Sequence, residues 1–289
     1  MKNILGVYSA PRPHWVGDGF PVRSLFGYDG LGKHLSPFLL LDHAAPTAFE
    51  PAARPRGVGQ HPHRGFETVT FIVEGSLAHR DNAGHESVIR AGGVQWMTAG
   101  SGIVHAEVSP RDFLDQGGPV EILQLWVNLP SRLKMSTPAY VGLQEKDIPA
   151  LRLDEGKVTL HLIAGEWEGT PGPVRSLTGV FMSTLDMRAG GRFRAIVRPP
   201  RKVFLYVVRG SIAVGRHDDL VNAYQLVELG DDGEAVDLHT GSGALLLFGH
   251  AEPIREPVVA HGPFVMTTRA EIAQAVADYQ AGRFGSALG

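Results

Sequence analysis

Two stretches of this chain, 135 residues apart, repeat one pattern. Phe71-Ile-Val-Glu-Gly-Ser-Leu-Ala78 and Tyr206-Val-Val-Arg-Gly-Ser-Ile-Ala213 each run as an aromatic residue, two β-branched residues, a charge, Gly-Ser, an aliphatic residue and Ala. Both read as a strand entering a turn. A repeat of that length is a whole domain rather than a solenoid unit, so the pattern predicts a duplicated β-barrel or sandwich.

The rest of the sequence fits such a chain. Its 289 residues suffice for two domains, and its 36 glycines and 20 prolines are spread throughout, as many short strands joined by turns require. Alternation predicts strands at Thr68–Val73, Val120–Val127, Val158–Ile163 and Val203–Val208. Helical periodicity appears near the end, where Thr268 and Glu271 have capping-box spacing, Ile272, Ala275, Val276 and Tyr279 share a face, and Gly282 stops the helix. The expected fold is all-β: two tandem domains with a C-terminal α-helix. The expected boundaries are 1–133 and 150–289, joined by a polar linker over 134–149.

Composition excludes several classes of function. A net charge of −3 and the absence of a Lys/Arg stripe argue against direct nucleic-acid binding. Runs such as FLLL and ALLLF are too short to span a bilayer, and no signal-peptide core follows Met1, so a cytoplasmic protein is expected. Without cysteine there is no disulfide, thiol chemistry or iron–sulfur cluster, so any metal must be held by His, Asp or Glu.

Two short motifs supply such ligands. In GQHPHRGFETVTFIVEGS, His61 and His63 are two apart and share one face of a strand, with Glu67 on the same parity; in GSGIVHAEV, His105 and Glu107 repeat the spacing. Gly100 and Gly102 permit the tight turn that would aim the second pair inward. Three imidazoles and a carboxylate suit Fe(II), Mn, Ni, Cu or Zn with coordination positions left open, whereas a structural zinc site is closed and cysteine-rich. Of the two glutamates, Glu107 is the expected ligand, because a straight strand carries position 67 too far from 61 unless Gly65 bends it. His14, His34, His43, His79, His85, His161, His217, His239, His250 and His261 stand singly and are read as satisfied polar residues, and Trp96 and Met97 as packing. At the repeat offset the second half has Ile196, Arg198, Thr240 and Ser242 in place of the ligands, so one divalent metal per chain is expected, in the first half.

These residues resemble a family. Paired motifs in a duplicated barrel look like the bicupins, and HPHRGFETVTFIVEG, VQWMTAGSGIVHAE, LQLWVNLP and EPVVAHGPFVMTTRAEI resemble pirin. Glu107 two residues after the second-motif histidine, and Ala99 where cupins usually carry proline, depart from the general cupin pattern in the way a pirin does. The resemblance implies two jelly-roll-like cupin barrels. It also implies Fe(II), with Cu, Ni, Co, Mn and Zn as alternatives, on His61, His63, His105 and Glu107. The implied activity is that of a quercetin 2,3-dioxygenase opening flavonols with O2, with Glu107 as the catalytic base. The alternative it carries is an iron-binding regulatory protein, acting through protein partners as a transcription cofactor (nuclear as well in a eukaryote) or as a modulator of a metabolic enzyme. A monomer is expected.

Overall fold

The structure is a computed structural model describing residues 1–17, 19–215 and 220–288, so His217 lies outside the described residues. The chain forms two compact units, one comprising Arg12–Lys33, Phe38–Lys146 and Ile254–Gly289, the other Met1–Pro11, His34–Pro37 and Asp147–Pro253.

The first unit is built mainly from two antiparallel sheets, with a two-stranded hairpin, Val259–His261 and Phe264–Met266, towards its C-terminal end. The larger has seven strands in the order Ala139–Leu143, Val94–Thr98, Phe66–Glu74, Gly118–Asn128, Phe38–Phe49, Phe20–Phe26 and His14–Val16. The smaller has four, in the order Gly57–His63, Ile103–Val108, Ser76–Asp81 and Glu86–Arg90. Apolar residues from both, including Val22, Ile72, Ile122 and Leu77, pack into one core. The repeated Gly-Ser marks where the chain leaves one sheet for the other. Gly75 holds φ at +83°, and a Cβ there would come within 2.5 Å of the Pro119 carbonyl oxygen, so only glycine fits the corner.

The second unit repeats the device. In Lys202–Val214, residues before Gly210 pair with Gln225–Leu229 and Ala244–Ala251, and residues after it pair with Val221–Asn222 and Ala235–His239. Gly210 sits at φ +76°. Here the interior is filled with apolar side chains such as Leu160, Leu205, Val207, Leu246 and Phe248. At the positions matching the first unit's histidines, Ile196 is exposed and Arg198 is ion-paired with Glu234.

The predicted strands and helix form, but the units are not the two contiguous halves expected from the sequence. The first strand, Ile4–Ser9, pairs with Gln225–Leu229 and belongs to the second unit. The C-terminal hairpin and the helix Arg269–Gln280 belong to the first, where Phe264, Met266, Ile272, Ala275 and Phe284 pack on Val104. The capping box forms as predicted between Thr268 and Glu271. Nor is 134–149 a simple linker: Ala139–Leu143 pairs with Val94–Thr98, and the buried Lys134 amine donates to the Gly65 and Val265 carbonyls and to Asn128 Oδ1 at 2.7–2.9 Å. The reason is that an edge strand settles where its backbone finds a ladder, and a terminal helix where its apolar face finds a partner, and either can be far away in sequence.

Candidate metal centre

In the four-stranded sheet Ile103–Val108 is flanked by Gly57–His63 on one side and Ser76–Asp81 on the other. His105 is directly opposite His61 across one ladder and opposite Asp81 across the other. Residues opposite each other share a face, so same-parity side chains from three strands meet on the inner side of this sheet. The ring centroids of His61, His63 and His105 lie 4.2–5.0 Å apart, and one nitrogen of each falls within 4.8 Å of the others. Among the described residues this is the one group of three or more His, Asp or Glu side chains placed to hold an ion.

The donor set fits a divalent metal. His61 Nδ1 is 2.7 Å from the Gly59 carbonyl and His63 Nδ1 is 3.4 Å from that of Pro263, so each ring donates outward and keeps Nε2 as a lone-pair donor. His105 Nε2 is buried without a partner. Burial, reinforced by the neighbouring imidazoles, holds His63 and His105 well below the ordinary histidine pKa, so both present neutral rings.

Glu107 lines the same cavity but stands outside the three-histidine group. A register shift in the ladder separates it from His105, and its carboxylate accepts from Gln95 and Thr70 at Oε1 and from Gln124 at Oε2 (2.8 Å). Glu67 is elsewhere. Gly65, at φ +89°, breaks the chain between the two sheets, and Glu67 is buried against Thr98 on the seven-stranded sheet, where burial raises its carboxyl. The bend that would have let Glu67 follow the paired histidines exists, but it carries Glu67 away from the cavity.

The cavity, about 190 Å³, lies between the two sheets. Its walls are mostly apolar, among them Phe20, Val22, Leu77, Ile122 and Trp126, and its polar lining is confined to Asp42, His61, His63, Thr70, Glu107 and Gln124. Asp42 accepts a 2.5 Å hydrogen bond from Ser24, and burial pushes its carboxyl up.

Two stretches match known families: residues 19–127 match the pirin family, and residues 182–285 the pirin C-terminal cupin domain. This chain belongs to the pirin family. A Pseudomonas aeruginosa protein provisionally named a quercetin 2,3-dioxygenase is 45% identical over 98% of this chain and 99% of its own. A pirin-like protein of tomato, Solanum lycopersicum, is 40% identical over 93% and 88%. Among solved structures, a quercetin 2,3-dioxygenase from Acinetobacter baumannii superposes with a TM-score of 0.95 at 41% identity over the full length of both chains. The two tandem domains are therefore cupins of the pirin type.

Around the histidines of this pirin lie polar residues that single-residue inspection of the sequence passes over. His79 and His85 stand singly in the sequence, yet both bond to Asp81, and His79 stacks on Tyr140 at 4.1 Å. Tyr140 also donates to Gln95, which in turn holds Glu107. The signal was present at 79–81, where His-x-Asp repeats the two-residue spacing of the ligand pairs; nothing in the short stretch Ala139–Leu143 pointed to Tyr140. Trp96 and Met97 are buried packing residues, as expected.

Proposed function

We propose that this pirin is a metal-dependent dioxygenase of the quercetin 2,3-dioxygenase type, with Fe(II) on His61, His63 and His105 and with Glu107 as fourth donor and base. The observation that carries this reading is a cluster of three imidazoles, two of which, His61 and His63, stand on the wall of a mostly apolar cavity. A cavity of that kind suits a flat aromatic ligand with a few polar atoms. The metal, when bound, supplies open coordination positions and electron transfer towards O2.

The chain's own groups do the rest. The apolar walls desolvate the ligand's rings and keep water from the reacting carbon. Glu107, positioned by Gln95, Thr70 and Gln124, is the carboxylate beside the histidines that can take the flavonol's hydroxyl proton. Its Oε2, with Gln124 as sole donor, is the oxygen freest to turn towards the metal. Asp42, on the opposite sheet, is a polar contact for hydroxyls remote from the reaction. Anaerobic loading with Fe(II), then O2 uptake and carbon monoxide release with quercetin, tests the reading. Iron-dependent release of carbon monoxide is expected. Quercetin binding without O2 consumption, in the Fe, Cu, Ni and Co forms alike, would instead favour the regulatory role.

A further inference from the structure

Behind His105 a hydrogen-bonded chain runs away from the cavity. His105 Nδ1 is 3.5 Å from His79 Nδ1, and His79 Nε2 is 3.0 Å from Asp81 Oδ2. Asp81 is buried, and its Oδ1 accepts from the backbone N–H groups of Ala83 and His85, each at 3.0 Å. The partly exposed His85 ring also bonds to it, 2.9 Å from Oδ2. We propose that Asp81 and His79 are positioning residues that fix the tautomer of His105, so that its Nε2 lone pair is always the atom offered to the metal; the proposal rests on the metal reading above.

The argument is one of donor and acceptor counting. Burial alone would raise the Asp81 carboxyl, but the hydrogen bonds from His79 and His85 outweigh it and hold the group below its ordinary value, as an acceptor-only carboxylate. His79 Nε2 must then carry the hydrogen. In a neutral ring that leaves His79 Nδ1 as a lone pair, which can only accept, so the hydrogen between the two rings belongs to His105 Nδ1. His105 Nε2 is thereby stripped of hydrogen, and it is the buried atom with no partner. Tyr140, stacked on His79 with the rings 10° from parallel, holds the intermediate ring in the plane the relay needs. A carboxylate behind a ligand histidine is a common orienting device, and here a second imidazole stands between them.

Substituting Asp81 by Asn should reverse the relay. The new side chain's amide oxygen would stay with the two backbone donors, so its N–H would face His79 Nε2. His79 would then accept at Nε2 and donate from Nδ1, and the His105 proton would move to Nε2, where it blocks the metal. The test uses the full-length, metal-free protein labelled with 15N-histidine. Long-range 1H–15N correlation reads the tautomer, and competition with a chromogenic chelator under anaerobic conditions reads Fe(II) affinity. Wild type should show His105 protonated at Nδ1; Asp81→Asn should show it protonated at Nε2, with affinity roughly 10–100-fold lower. His79→Phe, which keeps the stack on Tyr140 but has no nitrogen, should leave both His105 tautomers populated, with Fe(II) affinity only about twofold lower, and the tautomer mixture covers the case in which Asp81→Asn does not fold. A wild-type His105 protonated at Nε2, a folded Asp81→Asn variant binding Fe(II) within about threefold of wild type, or a His79→Phe variant whose His105 stays protonated at Nδ1 alone would overturn the proposal. Wild-type protein with the expected tautomer but no Fe(II) uptake would overturn the metal reading beneath it, since the tautomer is measured without metal.

Discussion

Replacing each of two buried glutamates in turn separates the candidate ligand from its neighbour. Glu107→Ala removes the acceptor for three donors, from Gln95, Thr70 and Gln124. Thr70 can rotate, and already accepts from Gln124 at 3.3 Å, while the Gln124 amide borders the cavity, where water can replace the lost oxygen. Gln95 is buried, and its stranded N–H costs about 1–3 kcal/mol. The metal-free variant should therefore lose about 1–3 kcal/mol, which lowers its melting temperature by roughly 2–10 °C. It should also lose most of its iron. Glu67→Ala gives up one hydrogen bond, to Thr98, from a carboxyl that burial already disfavours and that does not line the cavity. It should keep its iron, with affinity reduced less than about tenfold. Metal content after dialysis, set beside calorimetric melting of both apo-proteins, is the assay. An iron-free Glu67 variant beside a fully loaded Glu107 variant would refute the reasoning.

Lys134→Met leaves two carbonyls and the Asn128 amide oxygen without their donor, for a loss of about 3 kcal/mol in urea unfolding. Burial also pulls the Lys134 amine down to about 8 from its ordinary 10.5, so between those values the unfolded chain binds the extra proton. This residue's contribution to stability should thus rise with pH across that window, by at most about 3 kcal/mol, and the rise should be missing in the Met variant; an identical pH dependence in both proteins would contradict it. Gly75→Ala meets both a left-handed backbone and the Pro119 carbonyl, and should cost about 3 kcal/mol. Gly84→Ala, with φ +96° but open space around its Cβ, should cost only about 1 kcal/mol, and equal losses at the two sites would contradict the packing argument.

What could be read from the sequence follows from which interactions are local. The Gly-Ser repeat was legible because a strand that changes sheets needs φ > 0 at one position, and both Gly75 and Gly210 meet that need. His61, His63 and His105 were legible because two-residue spacing fixes a shared face before any strand is paired. The exchange of terminal segments was not legible. Ile4–Ser9 finds its ladder more than 200 residues away, and the terminal helix buries its face against Val104, and neither partner leaves a mark on the segment itself. Glu107 shows the limit of parity: the spacing put it on the correct face, but a register shift beside His105 and three donors set its carboxylate apart from the imidazoles.

The most direct test of the account is an anomalous difference map from crystals grown with Fe(II), collected at the iron absorption edge. One peak per chain is predicted, about 2 Å from the Nε2 atoms of His61, His63 and His105. A peak elsewhere in the chain, a second strong peak in the unit containing Asp147–Pro253, or no peak among these three histidines would contradict it.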